Sequence, residues 1–178
     1  MEYWVTVSNL DEAIHLSEYD PQWPILFSAE VQRVSSGLPA DVTTEHIGST
    51  AVPGLVAKPI IDIMVGTGPQ HQLEAVRQAL VELGYEDMGE AGVPGRIYFR
   101  RRIGAAFNIA LVPRGRSLWT ANLAFRDHLR MSADARREYS EIKRQAFNNG
   151  IRSLLAYSDY KSAVLSRLIV QALEGNQS

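Results

Sequence analysis

Glu45-His46-Ile47-Gly48-Ser49-Thr50-Ala51-Val52-Pro53-Gly54-Leu55-Val56-Ala57-Lys58 is the stretch on which the fold turns. Val42 to Ile47 alternates in the manner of a strand and runs straight into Gly48-Ser49-Thr50. Small residues there let backbone amides turn outward: Gly48 permits close approach, and the Ser49 and Thr50 hydroxyls add short donors. A helical turn begun at this point adds an N-terminal dipole that favours an anion. Pro53-Gly54 is a type II turn signal, and Lys58 stands past the loop as a point charge. Pro59 to Val65 predicts a second strand, nearly all apolar, with Asp62 as its only charge. An ionised carboxylate in such a strand must be ion-paired, hydrogen-bonded or bound to a cation. Two assemblies satisfy it. Either phosphate sits on the loop with Mg2+ on Asp62 bridging the two, or Asp62 accepts hydrogen bonds from the loop amides and holds the fold closed.

Outward from this core, Asp20-Pro21 predicts a helix start, with Asp20 as N-cap and Pro21 at the first helical position. Trp23, Phe27, Val31 and Val34 follow at helical spacing, and Ser36-Gly37 ends the run. Pro69 to Leu83 reads as a helix with Leu73, Val76, Leu80 and Leu83 on one face, closed by Gly84. Tyr85 to Asp87 reads as a short strand, and Arg96 to Arg102 with Ala105 to Val112 as a hairpin around Ile103-Gly104. Three helices are expected next: Ser117 to Met131, Ala133 to Asn148, and Ser158 to Glu174. Ser132 and Ser158 are their N-caps, with Gly150 and Gly175 just past helix ends. The expected fold is α/β in the α+β sense, one domain over residues 1–178. It is a small mixed β-sheet with packed helices and a helical C-terminal third.

Composition narrows the function. The 178 residues, 46% hydrophobic and 21% charged, suit a globular chain with a core of its own. Disorder is expected only at the first residues and at Asn176-Gln177-Ser178. No apolar run approaches the roughly 20 residues of a membrane helix, so no membrane partner is expected. The N-terminus lacks the basic flank and apolar stretch of a signal peptide. With no cysteine, disulfides and thiolate chemistry are excluded, and a cytoplasmic location fits. The net charge of −2 does not suggest nucleic acid. Its distribution is uneven. Residues 1–95 hold 14 Asp and Glu against 3 Lys and Arg, residues 96–178 hold 6 against 15, and the halves are thus −11 and +9. That polarity is either complementarity within one fold or a basic wall facing an anionic ligand.

Other residues extend the candidate site. Glu45 and His46 point to opposite faces of their strand, so at most one faces the pocket. Glu45 is either a second carboxylate for a metal or the partner of a surface arginine, and His46 reads as a hydrogen-bonded structural histidine. Arg126 and Arg130, four apart, share a helix face suited to a phosphate tail or carboxylate, with Asp127 on another face. One or two of Arg100, Arg101 and Arg102 should face the pocket. The basic residues lack interleaved aromatics of the base-stacking kind, so no nucleic-acid surface is read. His15, His71 and His128 show no metal-ligand spacing that would hold zinc.

The stretch Glu45 to Leu55, followed by Ala57-Lys58-Pro59-Ile60-Ile61-Asp62-Ile63, closely resembles the signature of the GrpB family. Tyr19-Asp20-Pro21-Gln22-Trp23, Phe125-Arg126-Asp127-His128-Leu129-Arg130, and Tyr157 with Lys161 are similar to that family as well. The resemblance runs from about Leu16 to Ala172. It implies a nucleotidyltransferase-like fold, in which Gly-Ser after the first strand cradles a nucleoside triphosphate and carboxylates on the next strand hold Mg2+. On that reading Gly48, Ser49, Thr50, Lys58, Arg126 and Lys161 bind phosphate or nucleotide. Asp62 is then the catalytic and metal-binding acid, with Glu45 and Asn108 as further candidate ligands. Two departures stand out. Asp62-Ile63-Met64 leaves one acid where such enzymes typically carry two, and Phe107-Asn108-Ile109-Ala110 stands where many relatives carry a His-x-His-like element. The expected function is Mg2+-dependent binding of ATP or another nucleoside triphosphate, with nucleotidyl transfer to a small molecule. The alternatives are a binding or stabilising module on the same scaffold and a repurposed small-molecule enzyme. Nothing in the sequence argues for an oligomer.

Overall fold

The computed structural model describes residues 10–68 and 73–175. His71, the first four residues of the helix expected from Pro69, and both termini expected to be loose lie outside the described residues.

Five strands form one mixed sheet: β1 (Thr43–Ile47), β2 (Ile60–Thr67), β3 (Glu86–Asp87), β4 (Ile97–Arg101) and β5 (Ala106–Pro113), in the order β1-β2-β5-β4-β3. β2 and β5 run parallel, and every other neighbouring pair is antiparallel. The helices are α1 (Trp23–Ser35), α2 (Leu73–Glu82), α3 (Ser117–Met131), α4 (Ala133–Asn148), α5 (Leu154–Tyr160) and α6 (Ser162–Gly175). The α+β architecture and the helical C-terminal third are therefore as expected. Among the described residues no helix is long and apolar enough to cross a membrane.

Register sorts the side chains. Asp62 lies opposite Ile47 on β1 and Asn108 on β5, while Ile63 lies opposite His46 and Ile109. Since alternate residues face opposite ways, Asp62 and Asn108 share one face of the sheet with Glu45 and Met64. Ile61, Ile63, Val65, Ile109 and Leu111 occupy the other, packed with Trp23, Val34, Val76 and Leu80 from α1 and α2. On the Asp62 face an apolar patch of Ile47, Met64, Val112 and Trp119 joins the sheet to α3. Gly66 makes that contact possible, because a Cβ there would stand 2.4 Å from the Trp119 ring.

Two expected boundaries move. Asp20 accepts a hydrogen bond from the Gln22 amide at 2.8 Å, but it shapes a turn; helix α1 begins at Trp23, with Gln22 as its N-cap and Pro24 in the first turn. A proline in the first helical turn is accommodated because those amides have no intrahelical partner. The helix expected from Ser158 is instead two: Ser153 precedes α5, Lys161 ends it, and α6 follows, with Gly175 inside rather than beyond it. No Pro or Gly marks that break. Tertiary packing sets it, with Tyr157 of α5 buried beside Ile14 and Ala146.

The segment before α1 matters to the site. Ser17 and Ala57 exchange backbone hydrogen bonds at 2.8 and 3.0 Å, and Ile14 N–H donates to Arg152. The N-terminal strap is thereby stitched to both the loop and the helical third.

Candidate functional site

The loop leaves β1 through Gly48, whose φ of 70° and ψ of −169° lie in a region open essentially to glycine alone. Bulk is excluded there too: a Cβ on Gly48 would sit 2.4 Å from Asp62 Oδ2. The close approach expected of Gly48 is thus to the Asp62 carboxylate. Ser49–Ala51 then forms one 3-10 turn.

That turn has two sides. On one, Lys143 of α4 donates from Nζ to Ser49 Oγ at 2.5 Å and to the Val56 carbonyl at 2.8 Å. On the other, Thr50 is buried and its hydroxyl lies 3.0 Å from His46 Nε2, so Thr50 serves the fold and does not face the lysine side. The His46 ring stacks on Phe27 at 4.6 Å and 7°. Burial, then the charges of Arg130 and Arg126, push its pKa down to about 4. His46 is the hydrogen-bonded structural histidine that was expected.

On the lysine side, charge accumulates. Lys143 is 1% exposed. Burial first, then Lys161 and Lys58, hold it well below the usual lysine range, with Asp62 opposing. Lys58 is pushed down to about 8, again by burial first, with Asp62 resisting and Lys161 adding to the fall. Lys161 is lowered by burial against the pull of Asp62. Two tyrosine rings separate the amines: Lys143 and Lys161 lie 4.2 and 5.7 Å from the Tyr139 centroid, Lys161 and Lys58 5.5 and 5.9 Å from that of Tyr157. Cation–π contact lets the rings tolerate these charges, and Lys161 also donates to the Tyr139 hydroxyl at 3.2 Å.

Asp62 faces this cluster. Its Oδ1 accepts from Asn108 Nδ2 at 2.7 Å, while Asn108 Oδ1 accepts from Arg102 at 2.9 Å. Arg102 is held in turn by Glu12 of the N-terminal strap through bonds of 2.9 and 2.7 Å. Arg96, which packs on Tyr98 at 4.8 Å and feels Asp62, keeps a buried Nε with no acceptor among the described residues.

The remaining expected residues lie elsewhere. Arg126 does not join the lysine cluster: it donates to Glu45 at 2.7 Å, to the His46 carbonyl at 3.2 Å and to Asp127 at 2.7 Å. Glu45, the proposed further metal ligand, is the partner of that arginine and sits opposite Met64, two residues along from Asp62. Asp127 serves structure, as expected, but on the same contact as Arg126. Of the three consecutive arginines, Arg102 bonds to Asn108 in the site. Arg100 lies opposite Asn108 on the same sheet face, where it pairs with Glu86 and helps lower the Glu12 pKa; Arg101 approaches Glu30 on the opposite face. Lys161 does converge on Asp62, from the junction of α5 and α6. Sequence reading missed Lys143, Arg96 and Glu12, whereas Arg102 is one of the three arginines of which one or two were expected to face the pocket. For Lys143 a signal existed: Ala135, Tyr139, Lys143 and Ala146 are all buried on one stripe of α4, so a lysine occupies a core position.

A mixed α+β domain with a lysine-lined interior beside a strand–Gly-Ser turn defines the class. Residues 13–171 match the family described as GrpB protein, and the chain belongs to that family. It is 40% identical over 152 residues to a UPF0157 protein of Streptomyces coelicolor, covering 85% of this chain and 80% of that one. With a UPF0157 protein of Halalkalibacterium halodurans it shares 34% over 181 residues, covering 94% and 88%. The crystal structure of conserved protein GrpB from Enterococcus faecalis superposes with a TM-score of 0.82 at 30% identity, over 92% of this chain and all of that one.

Proposed function

We propose that this chain is a binding protein for a phosphorylated small molecule, with nucleoside triphosphates as the leading class, acting in the cytoplasm. One observation carries the reading. Lys58, Lys143 and Lys161 converge with Arg96 and Arg102 on an interior where, among the described residues, the acids that act on these amines are Asp62 and Glu12, and Glu12 is already paired with Arg102. Burying an uncompensated ammonium costs roughly several kcal/mol. An arriving polyanion offsets that cost, raises the depressed amine pKa values again and turns a destabilising cluster into a ligand cradle.

A resident Mg2+ fits this donor set poorly. Asp62 is a single carboxylate among amines, the Asn108 oxygen already accepts from Arg102, and Glu45 is held by Arg126. Among the described residues no group of three or more His, Cys, Asp or Glu side chains converges. Two-metal displacement requires several carboxylate oxygens, so no transfer step is derived through a metal. This favours the binding module over the nucleotidyltransferase.

Calorimetry of the full chain with ATP, GTP, CTP, UTP and inorganic triphosphate, in EDTA and in Mg2+, tests the proposal. Binding should persist in EDTA and weaken at least tenfold in Lys143→Met. Absence of binding, or binding that requires Mg2+ and disappears in Asp62→Asn, overturns it. Pyrophosphate release from any of the nucleotides would restore the transferase reading.

A further inference from the structure

The outer side of the Ser49–Ala51 turn carries a feature unrelated to the lysine interior. A groove of about 440 Å³ lies between the start of α1, the turn and the α3–α4 junction, lined by Tyr19, Pro24, His46, Ala51, Arg130 and Arg136. Its volume is in the range of small-molecule sites, roughly 300–1,000 Å³.

Charge in the groove is not balanced. Arg130 donates from Nε to the Ala51 carbonyl at 3.0 Å and meets Asp127 at 3.5 Å, but Asp127 is held more tightly by Arg126 at 2.7 Å. Arg136 spends Nη1 on the Leu129 and Arg130 carbonyls and meets no carboxylate among the described residues. Each guanidinium has five N–H donors, so both retain donors after these bonds. Within 4.0 Å, among the described residues, Arg126, Arg130 and Arg136 meet only Glu45 and Asp127, an excess of one positive charge. His46 adds none, because it stays neutral at pH 7. The walls are otherwise Pro24, Ala51 and the Tyr19 ring, which is fixed edge-on by Trp23 at 5.3 Å.

We propose that this groove is a second ligand site, for a small organic monocarboxylate with a compact apolar body. One unbalanced charge asks for one anionic group, guanidinium forks hold a carboxylate through two donors, and the apolar walls take the remainder. The site stands apart from the phosphate reading, since none of its residues belongs to the lysine cluster. It touches that cluster only across the turn, where Thr50 faces His46 and Ser49 faces Lys143.

Benzoate is the probe, methyl benzoate the neutral control and inorganic phosphate the charge control, read by calorimetry and by the His46 ring resonances of the full chain. Benzoate should shift those resonances saturably and the ester should not. Arg136→Gln should weaken benzoate at least tenfold. Because Arg136 also caps α3, Pro24→Glu gives an independent arm: it breaks no hydrogen bond donated by residue 24, places a carboxylate in the groove, and should weaken benzoate by a similar factor. Equal response to the ester, benzoate affinity unchanged in either variant, or displacement of benzoate by phosphate overturns the proposal. Triphosphate binding should be unchanged in Pro24→Glu, so a failure of this site and a failure of the lysine site are read separately.

Discussion

Ile61, Ile63 and Val65 of β2 are sealed against α1 and α2, whereas Asp62, one step out of phase on the same strand, faces three lysines brought in by the loop, α4 and the α5–α6 junction. The first face is packed mainly by apolar side chains and gains stability from area removed from water. The second holds charges whose burial opposes folding. A single strand thus anchors the core with one side and faces a charged interior with the other. The apolar face carries the stability that lets the charged face remain unsatisfied.

The largest loss of stability is expected on the apolar side. Ile63 is fully buried; Ile63→Ala should cost about 2–5 kcal/mol, measured by urea unfolding, with phosphate affinity of the remaining folded protein unchanged. A loss below 1 kcal/mol would show that the α1–α2 face is not the anchor. Gly48→Ala strikes where the faces meet. The positive φ alone costs about 1–3 kcal/mol, and the Asp62 carboxylate must move, so stability and triphosphate binding should fall together. Binding unchanged in that variant would separate Asp62 from the ligand.

Acid and alkali act on the two faces differently. His46 has a folded pKa of about 4 against 6.5 ordinarily, so the unfolded chain binds the proton more readily. Its contribution is complete above pH 6.5 and should be lost as pH falls toward 4, and His46→Gln should flatten that limb of the unfolding midpoint against pH. Lys58, at about 8 against 10.5, is likewise a depressed base. The strain of its burial should ease as pH rises from 8 toward 10.5, a slope that Lys58→Met should remove and saturating triphosphate should diminish. Identical slopes in wild type and variant would contradict either assignment. The smallest effect is expected at the exposed pair of Arg137 and Asp134: Arg137→Ala should change stability by less than about 0.5 kcal/mol.

The strand–Gly-Ser-Thr–strand unit, the hairpin around Ile103-Gly104 and the helices Ser117–Met131 and Ala133–Asn148 were legible because local periodicity and punctuation report backbone geometry directly. The same signals placed Asp62 as the lone acid of an apolar strand and Gly48 as a point of close approach. The break at Lys161 was not legible, since no residue there disfavours helix and packing alone divides α5 from α6. Nor was the fate of Arg126, whose type suits a phosphate and a carboxylate equally; only its neighbours Glu45 and Asp127 decide.

By itself, then, the sequence determined an α+β chain of the GrpB kind with an anion-suited loop beside one acid on an apolar strand. Tertiary structure decided the rest. It set Lys143 against Ser49 from 94 residues away, gathered amines rather than acids around Asp62, and turned Thr50 and Arg126 away from them. The physical reason is range: backbone geometry follows from neighbours in the chain, whereas the charge around a buried group is summed over every element packed against it.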